Sequence, residues 1–205
     1  SREIIRKIWE PKNKFKIWLD IEIAICEALM NKGFIPKKSY INIRDNSEFN
    51  SDRIDEIEKE VKHDVIAFLT NISENLGDDS KYIHMGVTSS DILDTTLSVQ
   101  LKQSIKIVKN ELRNLIEELE KKALEHKSTV CIGRSHGIFA EPTTFGLKLL
   151  SKYSEFNRHL KRLIMSEKEI SICAISGAVG TFDNIDPYVE ELNKKKLGLK
   201  SETVS

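Results

Sequence analysis

Apolar residues recur at every third or fourth position along most of the chain, and this period predicts a protein built from helices. The first periodic run predicts a helix over residues 14–31, which ends before Gly33. A second run predicts one continuous helix from residue 51 to residue 76. The intervening residues 41–50 show no period and are predicted to form a connection.

The longest apolar stripe begins behind residues 88–91 and continues to Ala123. A helix rises about 1.5 Å per residue, so a run of about 35 residues forms a rod of about 50 Å. A compact domain of this size does not cover such a rod, whereas a helical bundle shared between subunits does. After an interruption at residues 128–144, the pattern predicts a further long helix over residues 145–163 and a short one over residues 188–197.

These elements predict an all-α fold with two parts. Residues 1–87 are expected to form a small N-terminal helical domain, and residues 88–205 the first long helices of a central helical bundle. The bundle domain is expected to be incomplete, because the polar ending after residue 199 offers no terminal helix to close it. We therefore expect this chain to be the N-terminal part of a larger protein.

The composition excludes several classes of partner. The 205 residues include 32 lysines and arginines and 32 aspartates and glutamates, so the formal net charge is zero. Nucleic acids and acidic membranes attract proteins with a basic excess, so neither is expected here. No apolar run approaches the length of a membrane span, and no secretory signal opens the chain. Three widely spaced cysteines favour reduced thiols and a cytoplasmic protein.

Two histidines stand out as candidates for proton transfer. His136 lies between residues 133 and 137, both glycines, where a ligand can approach closely, although a loop histidine can also simply cap a backbone group. His63, flanked by Lys62 and Asp64, lies within the predicted helix 51–76, roughly 200° around the axis from its apolar face. Ordinary surface charge is the simpler interpretation of His63 unless another subunit covers that face.

Two polar segments are candidates for anion binding. Thr88 and Ser89 open the longest predicted helix, where hydroxyls and free backbone N–H groups can bind phosphate or carboxylate, and plain N-capping is the alternative. Residues 176–181 (SGAVGT) could wrap an anion with their backbone, but they lack the flanking pattern of a phosphate loop. The five histidines show no metal-ligand spacing, so neither a metal nor another cofactor is expected.

Taken together, these segments resemble the signatures of the fumarase/aspartase superfamily. Residues 133–146 (GRSHGIFAEPTTFG) are similar to the second signature, residues 84–91 (HMGVTSSD) to the first, and residues 63–68 (HDVIAF) to a further conserved lyase stretch. Within the superfamily, His-Gly followed by Ala-Glu-Pro-Thr-Thr is typical of the adenylosuccinate lyases. Residues 176–181 also fit, so the resemblance extends over essentially the whole chain.

The resemblance implies an enzyme that eliminates fumarate from adenylosuccinate, which leaves AMP, and from succinyl-aminoimidazole-carboxamide ribotide. It implies that His136 is the general acid for the leaving nitrogen and that His63 supports it by binding phosphate or polarising the site. Lys62, Asp64, Thr88 and Ser89 match substrate-contacting positions. The family uses no cofactor and assembles each active site from three subunits of a homotetramer, so a homotetramer is expected for the full-length protein.

The chain also departs from the family pattern. Lys62 replaces a usual arginine, which removes bidentate anion binding but keeps the charge, and Ser135 replaces a usual threonine. The third signature, Gly-Ser-Ser-x-Met-Pro-x-Lys-x-Asn, which carries the expected general base, does not occur in these residues. We therefore expect the isolated chain to be nearly inactive. Two alternatives remain open, namely another eliminase of the superfamily and a non-enzymatic helical module that self-associates through its long stripe.

Overall fold

The computed structural model describes residues 2–204 and confirms the all-α fold. The helices are α1 Glu3–Ile8, α2 Pro11–Asn31, α3 Lys37–Asn46, α4 Ser51–Val61, α5 Asp64–Ser73, α6 Ser89–Glu125, α7 Phe145–Ile170 and α8 Tyr188–Leu197, with a 3₁₀ helix at Gly77–Tyr82. The strands are β1 Val130–Ser135, β2 Ile138–Thr144, β3 Ile172–Cys173 and β4 Lys200–Ser201. No helix within residues 2–204 combines the length and apolarity that a membrane crossing requires.

The chain divides into two compact units. The first unit contains the residues up to Lys102 together with those from Ile170 onward, and the second unit is Gln103–Glu169. Helix α6 therefore contributes its beginning to the first unit and its remainder to the second. The domain boundary that the sequence places at residue 87 stays a prediction.

Helix α2 forms the centre of the first unit. Its apolar stripe is buried, with Trp18, Ile21 and Ile25 fully inaccessible to solvent, and helices α3, α4 and α8 pack around it. The Trp18 ring meets the rings of Phe15 and Phe68 edge to face, with centroids 5.3 Å and 5.2 Å away. Such aromatic pairs stabilise a core beyond their buried area alone. The short parallel pair of β3 and β4 belongs to the same unit.

The prediction of one helix over residues 51–76 is wrong. Lys62 adopts a left-handed backbone with φ of 58° and ends α4, and His63 begins α5 as its N-cap. Val61 at this break is 41 % exposed, although the periodic pattern placed it in the core. Asn50 caps α4 by accepting from the N–H groups of Asp52 and Arg53. The chain breaks the helix without glycine or proline, which are the usual signals for a break.

The connection predicted at residues 41–50 is also wrong over most of its length. Residues 37–46 form α3, which buries Ser39, Tyr40 and Ile43. These three positions share one face, and apart from the exposed Ile41 the rest of the helix is polar. So few apolar side chains do not give a detectable helical period in the sequence. The helix is stabilised by its packing on α2.

The second unit consists of the rest of α6, the antiparallel β1–β2 hairpin and α7. The hairpin fills most of residues 128–144, where the sequence predicted only an interruption. Gly146 brings α7 against the end of α6, because its N–H donates to the carbonyl of His126 at 2.9 Å and a Cβ there would lie 2.4 Å from the Ala123 carbonyl oxygen. Lys109 and Glu167 form an ion pair toward the other end of the two helices, which are therefore antiparallel.

A polar cluster joins α2 to α3 and α8. The Tyr40 hydroxyl donates to Glu27 Oε2 at 2.9 Å, and Lys196 Nζ binds the same oxygen. Burial acts to raise the pKa of Glu27, but the hydrogen bonds from Lys196 and Tyr40 outweigh it and hold the pKa below its ordinary value of 4.5. Burial and the Glu27 carboxylate raise the pKa of Tyr40 to about 12, so the phenol stays a donor at neutral pH.

We expect Glu27→Gln to lower the free energy of unfolding by about 1 kcal/mol at about pH 7. A carboxyl group whose pKa is depressed on folding stabilises the folded state above its unfolded pKa and loses that effect as the pH falls through the folded pKa. The difference between variant and wild type should therefore shrink once the pH falls below 4.5. Urea unfolding at about pH 7 and again below pH 4.5 measures this difference in the free energy of unfolding. The exposed change Glu48→Gln is the control. An equal difference at both pH values would contradict the pKa assignment.

Candidate functional site

His136 occupies the tip of the β1–β2 hairpin. Its φ is 52° and that of Gly137 is 77°, and the flanking residues Ser135 and Ile138 pair with each other. A two-residue turn with positive φ at both positions matches the twist of the strands, and histidine is among the non-glycine residues that tolerate this conformation. The residue is exposed, and no side chain or backbone group within residues 2–204 hydrogen-bonds its imidazole. The hairpin thus presents a free imidazole to incoming ligands.

Lys62, His63 and Asp64 lie together at the junction of α4 and α5. The His63 ring accepts the N–H of Ile66 at Nδ1, 3.4 Å away, which leaves Nε2 to carry the proton of the neutral ring. Its Nδ1 is also 3.6 Å from Asp64 Oδ1, and the two side chains are 42 % and 39 % exposed. The sequence placed these residues within one helix. Instead, a sharp junction exposes all three polar side chains in one short segment.

Thr88 and Ser89 lie at the N-terminus of α6, and both are half-buried. The cap is made by Asp91, whose Oδ2 accepts the N–H of Thr88 at 2.9 Å, while the N–H of Asp91 donates to the Thr88 carbonyl at 3.1 Å. No hydrogen bond of either hydroxyl is found within residues 2–204. Plain N-capping by these hydroxyls, the alternative raised from the sequence, therefore does not account for them, and both remain available to a ligand.

Part of the backbone of residues 176–181 is not available for the anion site that the sequence suggested. The N–H groups of Ser176 and Gly177 already donate to the buried Asp91 carboxylate, at 3.1 Å and 3.2 Å. Asp91 is 3 % exposed, so this internal carboxylate takes the position that an external anion would occupy. The loop therefore supports the start of α6.

Sequence reasoning quoted His84 as part of a signature but gave it no role. In the structure His84 has a left-handed backbone with φ of 61°, and its ring Nδ1 lies 2.6 Å from Oε1 of Glu22. Glu22 is 1 % exposed, and a buried carboxylate that holds a histidine is a frequent feature of functional sites. His84 precedes Thr88 by four residues, so we add it to the candidate site.

Gly86 fixes the path of the chain between His84 and α6. Its φ is 81°, and a Cβ there would lie 2.3 Å from the carbonyl oxygen of Asn184.

We expect Gly86→Ala to lower the free energy of unfolding by about 2 kcal/mol or more, because backbone strain and a steric clash act together. Gly77→Ala is the matched control, since its φ is also positive but nothing lies within 4 Å of the added Cβ. Equal losses in urea unfolding would show that the Asn184 contact is unimportant.

The candidates predicted from the sequence fall into three groups. Lys62, His63 and Asp64 form one group and Thr88 with Ser89 a second, and both belong to the first unit. No hydrogen bond or ion pair links these two groups among the described residues. His136 belongs to the second unit. Residues 2–204 also contain no group of three or more His, Cys, Asp or Glu side chains that could hold a metal ion.

Known proteins resemble this chain over its whole length. A family model described as lyase matches residues 2–205. The adenylosuccinate lyase of Bacillus subtilis (strain 168) is 46 % identical over 205 residues, which cover 100 % of this chain and 48 % of that protein. The adenylosuccinate lyase of Synechocystis sp. (strain PCC 6803) is 48 % identical over 199 residues, which cover 97 % of this chain and 46 % of that protein. The chain thus spans about half the length of these curated relatives.

A solved structure agrees in fold. The crystal structure of a fumarate lyase from Mesorhizobium sp. BNC1 superposes with a TM-score of 0.91 at 24 % sequence identity, over 98 % of this chain and 49 % of that one. At this identity the likeness establishes the helical architecture and leaves the chemistry to the residues themselves.

Proposed function

Because this chain belongs to the lyase family over residues 2–205, we propose that the full-length protein is an adenylosuccinate lyase. It would release fumarate from adenylosuccinate, which leaves AMP, and from succinyl-aminoimidazole-carboxamide ribotide. The observation that carries the proposal is the 46 % and 48 % identity to two adenylosuccinate lyases over nearly all of the chain. A cytoplasmic location, predicted from the sequence, is part of the same proposal.

The reaction needs a base and an acid. A base removes a proton from the carbon beside a carboxylate, the electron pair forms the double bond of fumarate, and the carbon–nitrogen bond breaks. The departing nitrogen must then gain a proton. We assign this step to His136, whose exposed and unbonded imidazole at the hairpin tip can act as a proton donor.

The remaining candidates are suited to holding an anionic substrate. Thr88 and Ser89 offer unused hydroxyls at the positive end of the α6 dipole. Lys62 offers a cation, and His63 can donate from Nε2 because its Nδ1 accepts the N–H of Ile66. Asp64 can accept hydrogen bonds from substrate hydroxyls. We propose that these five residues bind the substrate, with His63 also supporting proton transfer.

Substrate turnover tests the proposed function. The full-length protein should release fumarate from adenylosuccinate and from the carboxamide ribotide, and it should leave argininosuccinate intact. The isolated 205-residue chain should be nearly inactive, because the expected general base lies in the third signature, outside these residues. Turnover of argininosuccinate alone would favour another eliminase of the superfamily, and appreciable activity of the isolated chain would overturn the assignment of the base.

We also propose that the full-length protein is a homotetramer that shares its long helices. Along α6 and α7 the second unit leaves large apolar side chains uncovered, including Leu115, Leu124, Leu147 and Met165 at 41 % to 65 % exposure. Large exposed apolar side chains in such number along two helices are typical of an interface. Sedimentation equilibrium should give four times the monomer mass. The alternative of a non-enzymatic self-associating module also rests on this surface, so activity must separate the two.

A further inference from the structure

Two side chains of helix α2 hydrogen-bond to the segment before α6. Glu22 and Cys26, one helical turn apart, both face this segment. Glu22 Oε2 accepts the backbone N–H of His84 at 3.0 Å, and Oε1 lies 2.6 Å from the ring Nδ1 of the same residue. The Cys26 thiol donates to the Tyr82 carbonyl at 3.6 Å. Burial, and then the charge of Glu22, raise the pKa of Cys26, so this thiol stays protonated and can donate.

The contact determines which ring nitrogen carries the proton. A backbone N–H can only donate, so Glu22 must accept it at Oε2. With Glu22 as a carboxylate, Oε1 is an acceptor as well, so the ring donates from Nδ1. A neutral imidazole with its proton on Nδ1 has a free lone pair on Nε2, and the cation has a free N–H there. Glu22 therefore leaves Nε2 as the nitrogen that a ligand can use.

We infer that Glu22 is a positioning residue of the substrate site, which acts through His84 by fixing the orientation and tautomer of its imidazole. This inference rests on the proposed function. The left-handed backbone of His84 is an uncommon conformation for a residue other than glycine, and it persists where surrounding contacts determine it. The double hydrogen bond to Glu22 supplies such contacts, and burial of the carboxylate at 1 % exposure shields them from water.

Glu22→Gln tests the inference with a change of one atom. The carbonyl oxygen of the glutamine must face the His84 N–H, which can only donate, so its NH₂ group faces Nδ1. The ring must then accept at Nδ1, and the neutral tautomer changes to Nε2–H. We expect ¹⁵N NMR of histidine-labelled protein to show Nδ1–H in the wild type and Nε2–H in the variant. The His84 signals are identified by their loss in His84→Gln.

The kinetic effect of Glu22→Gln should appear in the full-length protein. At metal sites, loss of a partner that orients a ligating histidine costs about 10- to 100-fold in function, and the orienting role inferred for Glu22 is of the same kind. We expect a decrease of that size in kcat/KM for adenylosuccinate, because the neutral ring of the variant would present an N–H at Nε2 in place of the lone pair that the wild type presents. In a His84→Gln background the same change should have no further effect, because Glu22 acts through the histidine.

Glu27→Gln is the matched control on the same helix. Glu27 binds Tyr40 and Lys196 and has no contact with His84, so its loss should lower stability but leave kcat/KM unchanged. An Nε2–H tautomer in the wild type overturns the inference even where Glu22→Gln does not fold. A changed tautomer with unchanged kcat/KM also overturns it. A wild type that does not turn over adenylosuccinate rejects the proposed function, while the NMR result still decides the Glu22 contact.

Discussion

Replacing His136 with asparagine is expected to lower the turnover of adenylosuccinate by the full-length protein about 10²- to 10⁴-fold, which is the usual contribution of a general acid. The turn itself should survive. Asparagine followed by glycine is the most favoured pair for a two-residue turn with positive φ at both positions, and Gly137 already follows His136. His136→Asn therefore removes the proton donor while it keeps the hairpin. Steady-state kinetics of fumarate release measure the effect.

His159→Gln is the control for this prediction. His159 is 45 % exposed on α7, in the same unit as His136, and lies 3.6 Å from Glu155. Its loss should leave turnover unchanged. His136→Gln should behave like His136→Asn, although glutamine suits the turn less well. Unchanged turnover in both His136 variants would remove the histidine from the mechanism.

The long elements of the fold could be predicted because each carries its own evidence. The apolar period that begins behind residues 88–91 persists for many turns, and the structure has α6 at Ser89–Glu125. The helix predicted at residues 145–163 is α7, Phe145–Ile170. A long repeat fixes both the type of element and the face it buries, so local sequence is sufficient there.

The break between α4 and α5 and the β1–β2 hairpin were not predicted from the sequence. Both depend on contacts between distant residues. Lys62 adopts a left-handed conformation that its own sequence does not favour, and this divides one predicted helix into α4 and α5. The β1–β2 hairpin turns at His136 and Gly137, a pair in which histidine takes the place of the asparagine or aspartate that usually signals such a turn. In both places a candidate histidine lies at or beside the unusual backbone.

The candidate site could be predicted only in part from the sequence, because it too depends on contacts between distant residues. Short polar segments made Thr88 and His136 candidates, and the family resemblance added a role for His63. Neither could identify Glu22, which precedes His84 by 62 residues and lies in the middle of an apolar helix. A pairing over that distance has no local signal, and only the packing of α2 against the segment before α6 reveals it.

Asp91 shows how two separately predicted segments become one structure. The sequence suggested an anion site at Thr88 and Ser89 and a second one in residues 176–181. The structure joins these two segments through a single buried carboxylate, which accepts the N–H groups of Thr88, Ser176 and Gly177. Asp91 therefore supplies from within the protein the negative charge that the backbone of the loop could bind, and it holds both segments in place.

Asp91→Asn is therefore expected to lower the free energy of unfolding by about 3 kcal/mol, because the amide has one acceptor oxygen for the three donors. Its NH₂ group would oppose at least one backbone N–H in a site that is 3 % exposed. Asp94→Asn, an exposed change nearly one turn later on α6, should cost little in the same urea titration. Losses of similar size in both variants would mean that the carboxylate contributes only surface charge. A large loss confined to Asp91 would show that the start of α6 and its two hydroxyls depend on this buried anion.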